Sequence, residues 1–159
     1  MAGVRSMIRT MREILTILEH PHPCLRTVCA PAKGEVNGLI RGMFDAMYRA
    51  PGRGLAAPQV GEPIRLFVMD PSWRDGLPDP RVFVNPEIVA RQGHQVNEEA
   101  CLSIPGTTRR LERARRVVLA YDGRNGRRQE SFEGFVAAIV QHEVDHLDGV
   151  LILDHPQAA

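Results

Sequence analysis

A chain of 159 residues, 43% hydrophobic and 25% charged, has the size and balance of one soluble globular domain with a sizeable core. Its formal net charge of +1 gives no sign of a nucleic-acid or membrane surface, and no apolar run approaches transmembrane length. Three cysteines are an odd count without a secretory signal, which favours free thiols in a reducing compartment over a disulfide framework.

Residues 1–11 carry Arg5 and Arg9 with no acid and read as an extension or disordered tail ahead of a single domain at 12–159. Ile14 to Leu18 is a short apolar run that suits an edge strand. His20 to Cys24 follows with two prolines, which exclude regular helix and predict an extended loop. His20, His22 and Cys24 could ligate a metal, but a backbone fixed by prolines favours the plain loop. Val36 to Arg49 is the clearest amphipathic helix. Val36, Leu39, Ile40, Met43, Phe44, Met47 and Tyr48 form one stripe whose simplest use is core packing. Pro51 and Gly52 end it.

Strand texture follows at Ile64–Met69, Arg81–Val84, Arg116–Tyr121 and Arg127–Phe132. Asn85-Pro86 is expected to end its strand, and Asp122 to Gly126 is a strong hairpin turn. A second helix is predicted from about Glu133 to Leu147, with Ser131 as N-cap and Gly149 as the stop. Val150 to Leu153 suits a last short strand. Strands and helices do not alternate regularly, so the fold class is α+β.

The chemistry starts on that second helix. Gln141 to His146 (QHEVDH) contains His-Glu-x-x-His, and residues four apart share a helix face. His142 and His146 can therefore aim two imidazoles at one metal. Glu143, about 100° round the helix, stands where it can take a proton from a bound water. The pattern is short, and an exposed polar face is the alternative. A catalytic site needs a third ligand and an open position. Cys101 is the best candidate, although a free cysteine is most often a small buried hydrophobe. Gly52 to Gln59 (GRGLAAPQ) ends in a carboxamide able to donate to an oxyanion. Alone, it reads as a tight packed turn.

Taken together and in order, GRGLAAPQ, Glu99 to Ser103 (EACLS) and QHEVDH resemble the three signature motifs of peptide deformylases. His22 to Arg26 and the long helix add to the likeness. The resemblance implies antiparallel or mixed sheets packed around a central metal-binding helix, with one long N-terminal helix. It also implies removal of the formyl group from the initiator methionine of new polypeptides, with formate as product. Cys101, His142 and His146 would be the metal ligands, with Fe²⁺ the expected ion and Zn²⁺, Ni²⁺ or Co²⁺ alternatives. Glu143 would be general base and then acid, while Gln59 and the Leu102 N–H would polarise the formyl oxygen. Gly54, Arg53, Asn97 and Glu99 would meet the peptide, and Phe135, Ala138 and Ile139 would line the methionine pocket. The partners implied are formylated nascent chains and, transiently, the ribosome. A bacterial cytoplasm is the expected compartment, ahead of an organelle.

Physical reasoning agrees with that chemistry. A metal lowers the pKa of its water from about 16 toward roughly 7, and removing one oxyanion donor typically costs about 10²–10³ in rate. Ala56 and Ala57 would keep the formyl pocket small enough to reject acetyl. Ala100 departs from the family, which usually has glycine there. Positive φ at that position would cost alanine on the order of 1 kcal/mol, and a close-approach role would instead let its methyl crowd the peptide. Arg53 and Asn97 are more polar than usual, predicting altered preference beyond methionine. Bacterial relatives often continue into a ribosome-binding helix, and this chain stops at Ala159, which leaves the mode of ribosome contact open. The competing functions are a zinc peptidase, which rarely takes a thiolate ligand, and a non-catalytic binder of formylated chains.

Overall fold

The computed structural model describes residues 14–159, so the expected extension at 1–11 lies outside them. The described chain is α+β, with two α-helices and two antiparallel sheets. Helix α1 is Asn37–Arg49 and helix α2 is Gly134–Leu147. The strands are β1 (Gly54–Ala56), β2 (Leu66–Met69), β3 (Arg81–Gln92), β4 (Gln95–Cys101), β5 (Ile104–Arg113), β6 (Arg116–Gly123) and β7 (Gly126–Glu133). The larger sheet has the order β1-β2-β3-β6-β7, and β4 pairs with β5 alone.

The α1 stripe buries Met43, Ala46 and Met47 against Leu55, Leu66 and Val68 of the sheet. Helix α2 touches strands of both sheets and buries Ala137, Val140, Val144 and Leu147 with Phe67, Phe83, Leu119 and Phe132. A helix buried on several sides has no solvent to satisfy its polar side chains, so Gln141, Glu143 and His146 must be accounted for internally.

Four expectations need correction. Ile14 to Leu18 forms no strand; its Leu18 N–H donates to the Gln59 carbonyl at 2.7 Å. Asn85-Pro86 does not end its strand. Proline cannot donate to the ladder, so β3 skips register between Val84 and Glu87 and continues to Gln92. Ser131 lies in β7, where its hydroxyl accepts from Arg116 at 3.0 Å, and Glu133 occupies the N-cap position of α2. Val150 to Leu153 yields a 3₁₀ turn at Ile152–Asp154 instead of a strand.

Gly149 ends α2 with φ of 72°, and an added Cβ would lie 2.7 Å from the Arg26 carbonyl oxygen and 2.9 Å from its carbon. Left-handed strain and overlap with backbone add, so Gly149→Ala is expected to lose about 2–4 kcal/mol. A urea midpoint equal to the wild type's would refute this.

Candidate active site

Two elements deliver one thiol and two imidazoles to one point. Four residues apart on α2, His142 and His146 bring their Nε2 atoms 3.2 Å apart. Strand β4 breaks register between Ala100 and Cys101, and Cys101 Sγ comes 3.4 Å from His146 Nε2. A tetrahedral ion with ordinary metal–nitrogen and metal–sulfur bonds would hold its donors about 3.3 Å (N to N) and about 3.6 Å (N to S) apart. The donors therefore fit a metal in both chemistry and spacing. No other group of three such donors occurs among the described residues. His22 Nδ1 accepts from the Cys24 N–H at 3.1 Å, a turn contact, so His20, His22 and Cys24 form no ligand cluster.

Burial and the neighbouring positive charge hold the His146 pKa well below its usual value, leaving a neutral imidazole suited to ligation. Burial acts the same way on His142, but Cys101 and Glu99 outweigh it and raise its pKa. Glu99 Oε1 lies 2.9 Å from His142 Nδ1, the ring nitrogen that faces away from the donor cluster. Arg113 grips the same carboxylate twice, at 2.7 and 2.8 Å, and donates to Asp145 at 2.6 Å. His155 Nε2 in turn stands 2.8 Å from Asp145. Burial alone would raise the Glu99 pKa, yet the bonds from Arg113 and His142 hold it at about 2. Glu99 borders the cleft, but both oxygens are engaged by protein, which fits support of His142 better than contact with a peptide. Arg113 and His155 are site neighbours outside the motifs quoted from the sequence, while Asp145 and Ser103 lie within those motifs but had been given no role.

Glu143, 3% exposed, is raised to about pKa 7 by burial, and its Oε2 has no hydrogen-bond partner. Gly54 gives it room. A Cβ there would meet Glu143 Oε1 at 2.8 Å, so Gly54→Ala is expected to displace the carboxylate and lower kcat about tenfold or more. An unchanged kcat would show that the carboxylate accommodates the methyl. Gln59 is oriented by its own turn: the Ala56 N–H donates to Oε1 at 2.9 Å, which turns the NH₂ toward Ser103 Oγ (3.0 Å) and Cys101 Sγ (3.8 Å).

A cleft of about 420 Å³ opens over these groups. Gly54, Gln59, Leu102, Glu143 and His142 lie along it with Arg53 and Asn97, and Phe135, Ala138 and Ile139 contribute one stripe of α2. Asn97 Nδ2 is buried and without a partner. Ala56 and Ala57 are fully buried in the two large core clusters and do not line the cleft, so their small size is used in core packing instead of at the cleft surface. Ala100 lies in β4 without positive φ; the strain alternative is removed, and its exposed methyl borders the cleft. A second cavity of about 490 Å³ includes Arg113, Asp145 and His155 but none of the three donors.

Residues 14–159 match the family described as polypeptide deformylase. A relative named peptide deformylase 2 from Xanthomonas campestris is 46% identical over 149 residues, covering 89% of this chain and 86% of the relative. The crystal structure of the peptide deformylase from Thermotoga maritima has a TM-score of 0.83 and 38% identity, covering 91% of this chain and 99% of that one. A class I type b peptide deformylase from Acinetobacter baumannii, crystallised with Met-Ala-Ser bound, has a TM-score of 0.82 and 33% identity, with 92% of this chain and all (100%) of that one covered. No helix among the described residues is long and apolar enough to cross a membrane. With its donor cluster, its cleft and its likeness along nearly the whole chain, this protein belongs to the peptide deformylase family, metal-dependent amide hydrolases that remove the N-formyl group from nascent polypeptides.

Proposed function

We propose that the Cys101, His142 and His146 cluster is a hydrolytic metal centre and that Glu143 handles the proton. The observation that carries this is Glu143 itself: a buried carboxyl near neutral pKa, with one oxygen unpartnered, one residue from a ligand. A divalent ion held by the three donors, with Fe²⁺ favoured and Zn²⁺, Ni²⁺ or Co²⁺ acceptable to the same set, supplies Lewis acidity and lowers the pKa of water.

The rest is the work of this chain's own residues. Glu143 takes a proton as water adds to the formyl carbon. It then returns that proton to the peptide nitrogen as the C–N bond breaks, leaving formate and a free amine. The Gln59 NH₂, held in place through Ala56, donates to the formyl oxygen as charge builds there, and the Leu102 N–H is the second donor. Glu99 holds His142 in the tautomer that presents Nε2. The methionine side chain lies along Phe135, Ala138 and Ile139. Gly54 and Asn97 offer polar contacts to the peptide backbone.

The test is formate release from formyl-Met-Ala-Ser by protein purified without air, alongside metal analysis of the same sample. Formate released in proportion to bound metal is expected. Release of free methionine from an unblocked peptide, with no formate from the formylated one, would point to a peptidase and overturn the proposal.

A further inference from the structure

Beyond the reacting atoms, the cleft has a mouth whose charges the deformylase chemistry does not use. One wall is made of two loops fastened together. Trp73 Nε1–H donates to the Gly52 carbonyl at 2.8 Å, and the Asp70 N–H donates to the Arg53 carbonyl at 2.9 Å. Arg53 donates to the Pro71 carbonyl and Arg74 to the Pro51 carbonyl. Trp73 is itself held edge-on against Tyr48, with ring centroids 5.2 Å apart. Arg53 also reaches across to α2, its guanidinium 5.3 Å from the Phe135 ring centroid.

These contacts fix two cations at the rim, and only one of them has a carboxylate beside it. The hydrogen bonds go to neutral carbonyls. Asp75, the carboxylate beside Arg53, stands at 3.5 Å and is 64% exposed, which makes it a weak, solvated partner. Among the described residues no carboxylate lies within ion-pairing distance of Arg74. On the opposite wall the acid is the exposed Glu98, which faces Arg110 across the ladder and stands apart from the Arg53–Arg74 wall. Glu99 and Glu143 belong to the interior of the site. The positive charge is thus concentrated on the Arg53–Arg74 wall, where both cations are held in place before a peptide arrives.

We infer that Arg53 and Arg74 are specificity-determining residues that favour formylated chains with acidic side chains just after the methionine. The inference rests on the deformylase reading. A fixed cation at a cleft mouth attracts a substrate carboxylate and repels an ammonium, and salt screens both effects.

The experiment compares C-terminally amidated formyl-Met-Asp-Asp, formyl-Met-Ala-Ala and formyl-Met-Lys-Lys by formate release. At low ionic strength the wild type is expected to show kcat/KM about tenfold higher for the Asp than for the Lys peptide, with Ala between, narrowing to within about twofold in 0.5 M salt. In Arg53→Gln/Arg74→Gln the low-salt ratio is expected to fall to about two. A wild-type ratio at or below one overturns the inference while leaving the deformylase reading intact. So does a ratio that survives in the double variant. No formate from any of the three peptides overturns the deformylase reading and the rim's role with it. The salt series uses the wild type alone, so a poorly folded variant would not spoil the test.

Discussion

Glu143→Ala is expected to lower kcat for formyl-methionyl peptides by about 10²–10⁴-fold and to leave the metal content unchanged. The two halves of that result follow from different observations. Glu143 is not one of the three converging donors, so the ion does not depend on it. Its carboxyl is buried, raised to about pKa 7 and left with an unpartnered oxygen, so it can accept a proton and give it back near neutral pH. Initial rates of formate release and elemental analysis of the same preparation separate the outcomes. Turnover within tenfold of the wild type would be fatal to the general-base role. Loss of metal would recast Glu143 as a structural support.

Glu99→Ala is expected to act through the ligands instead. Arg113 is only 6% exposed and would keep its charge with one of its two carboxylate partners gone. Breaking a buried pair in this way typically costs about 3–5 kcal/mol. Loss of the carboxylate on His142 Nδ1 should weaken metal binding about 10–100-fold. Urea unfolding and competition with a chelator measure the two effects. If the stability and the metal affinity both held while KM rose, Glu99 would be a substrate contact after all, as the sequence reading had it.

Much of the site was legible because its parts lie in short, dense motifs. His142 and His146 stand four apart, as one helix face requires, Cys101 was the candidate third donor and does converge on them, and the α1 stripe could be read straight from its period. What escaped notice escaped for physical reasons. Strands β4 and β5 do not alternate apolar with polar, because their buried face carries Glu99 and Arg113, which satisfy each other. Arg113 and Asp145 belong to segments 32 residues apart, and neither segment hints at the other. Ala56 and Ala57 were assigned to a small formyl pocket on size alone. Their burial shows that small residues in a tight turn serve packing just as well. The end of β3 was misplaced because Pro86 interrupts a ladder without stopping it.

The break in register at Cys101 carries a thermodynamic consequence. It brings the thiol to a histidine 45 residues further along the chain, so no local fragment holds the complete donor set. With the proposed ligand set, ion binding would be coupled to closure of the whole sheet–helix arrangement, and its free energy would add to the folding free energy by mass action. The same coupling runs backwards. Any substitution that loosens β4 against α2, however far from the formyl group, is then expected to lower occupancy of the ion before it changes the chemistry.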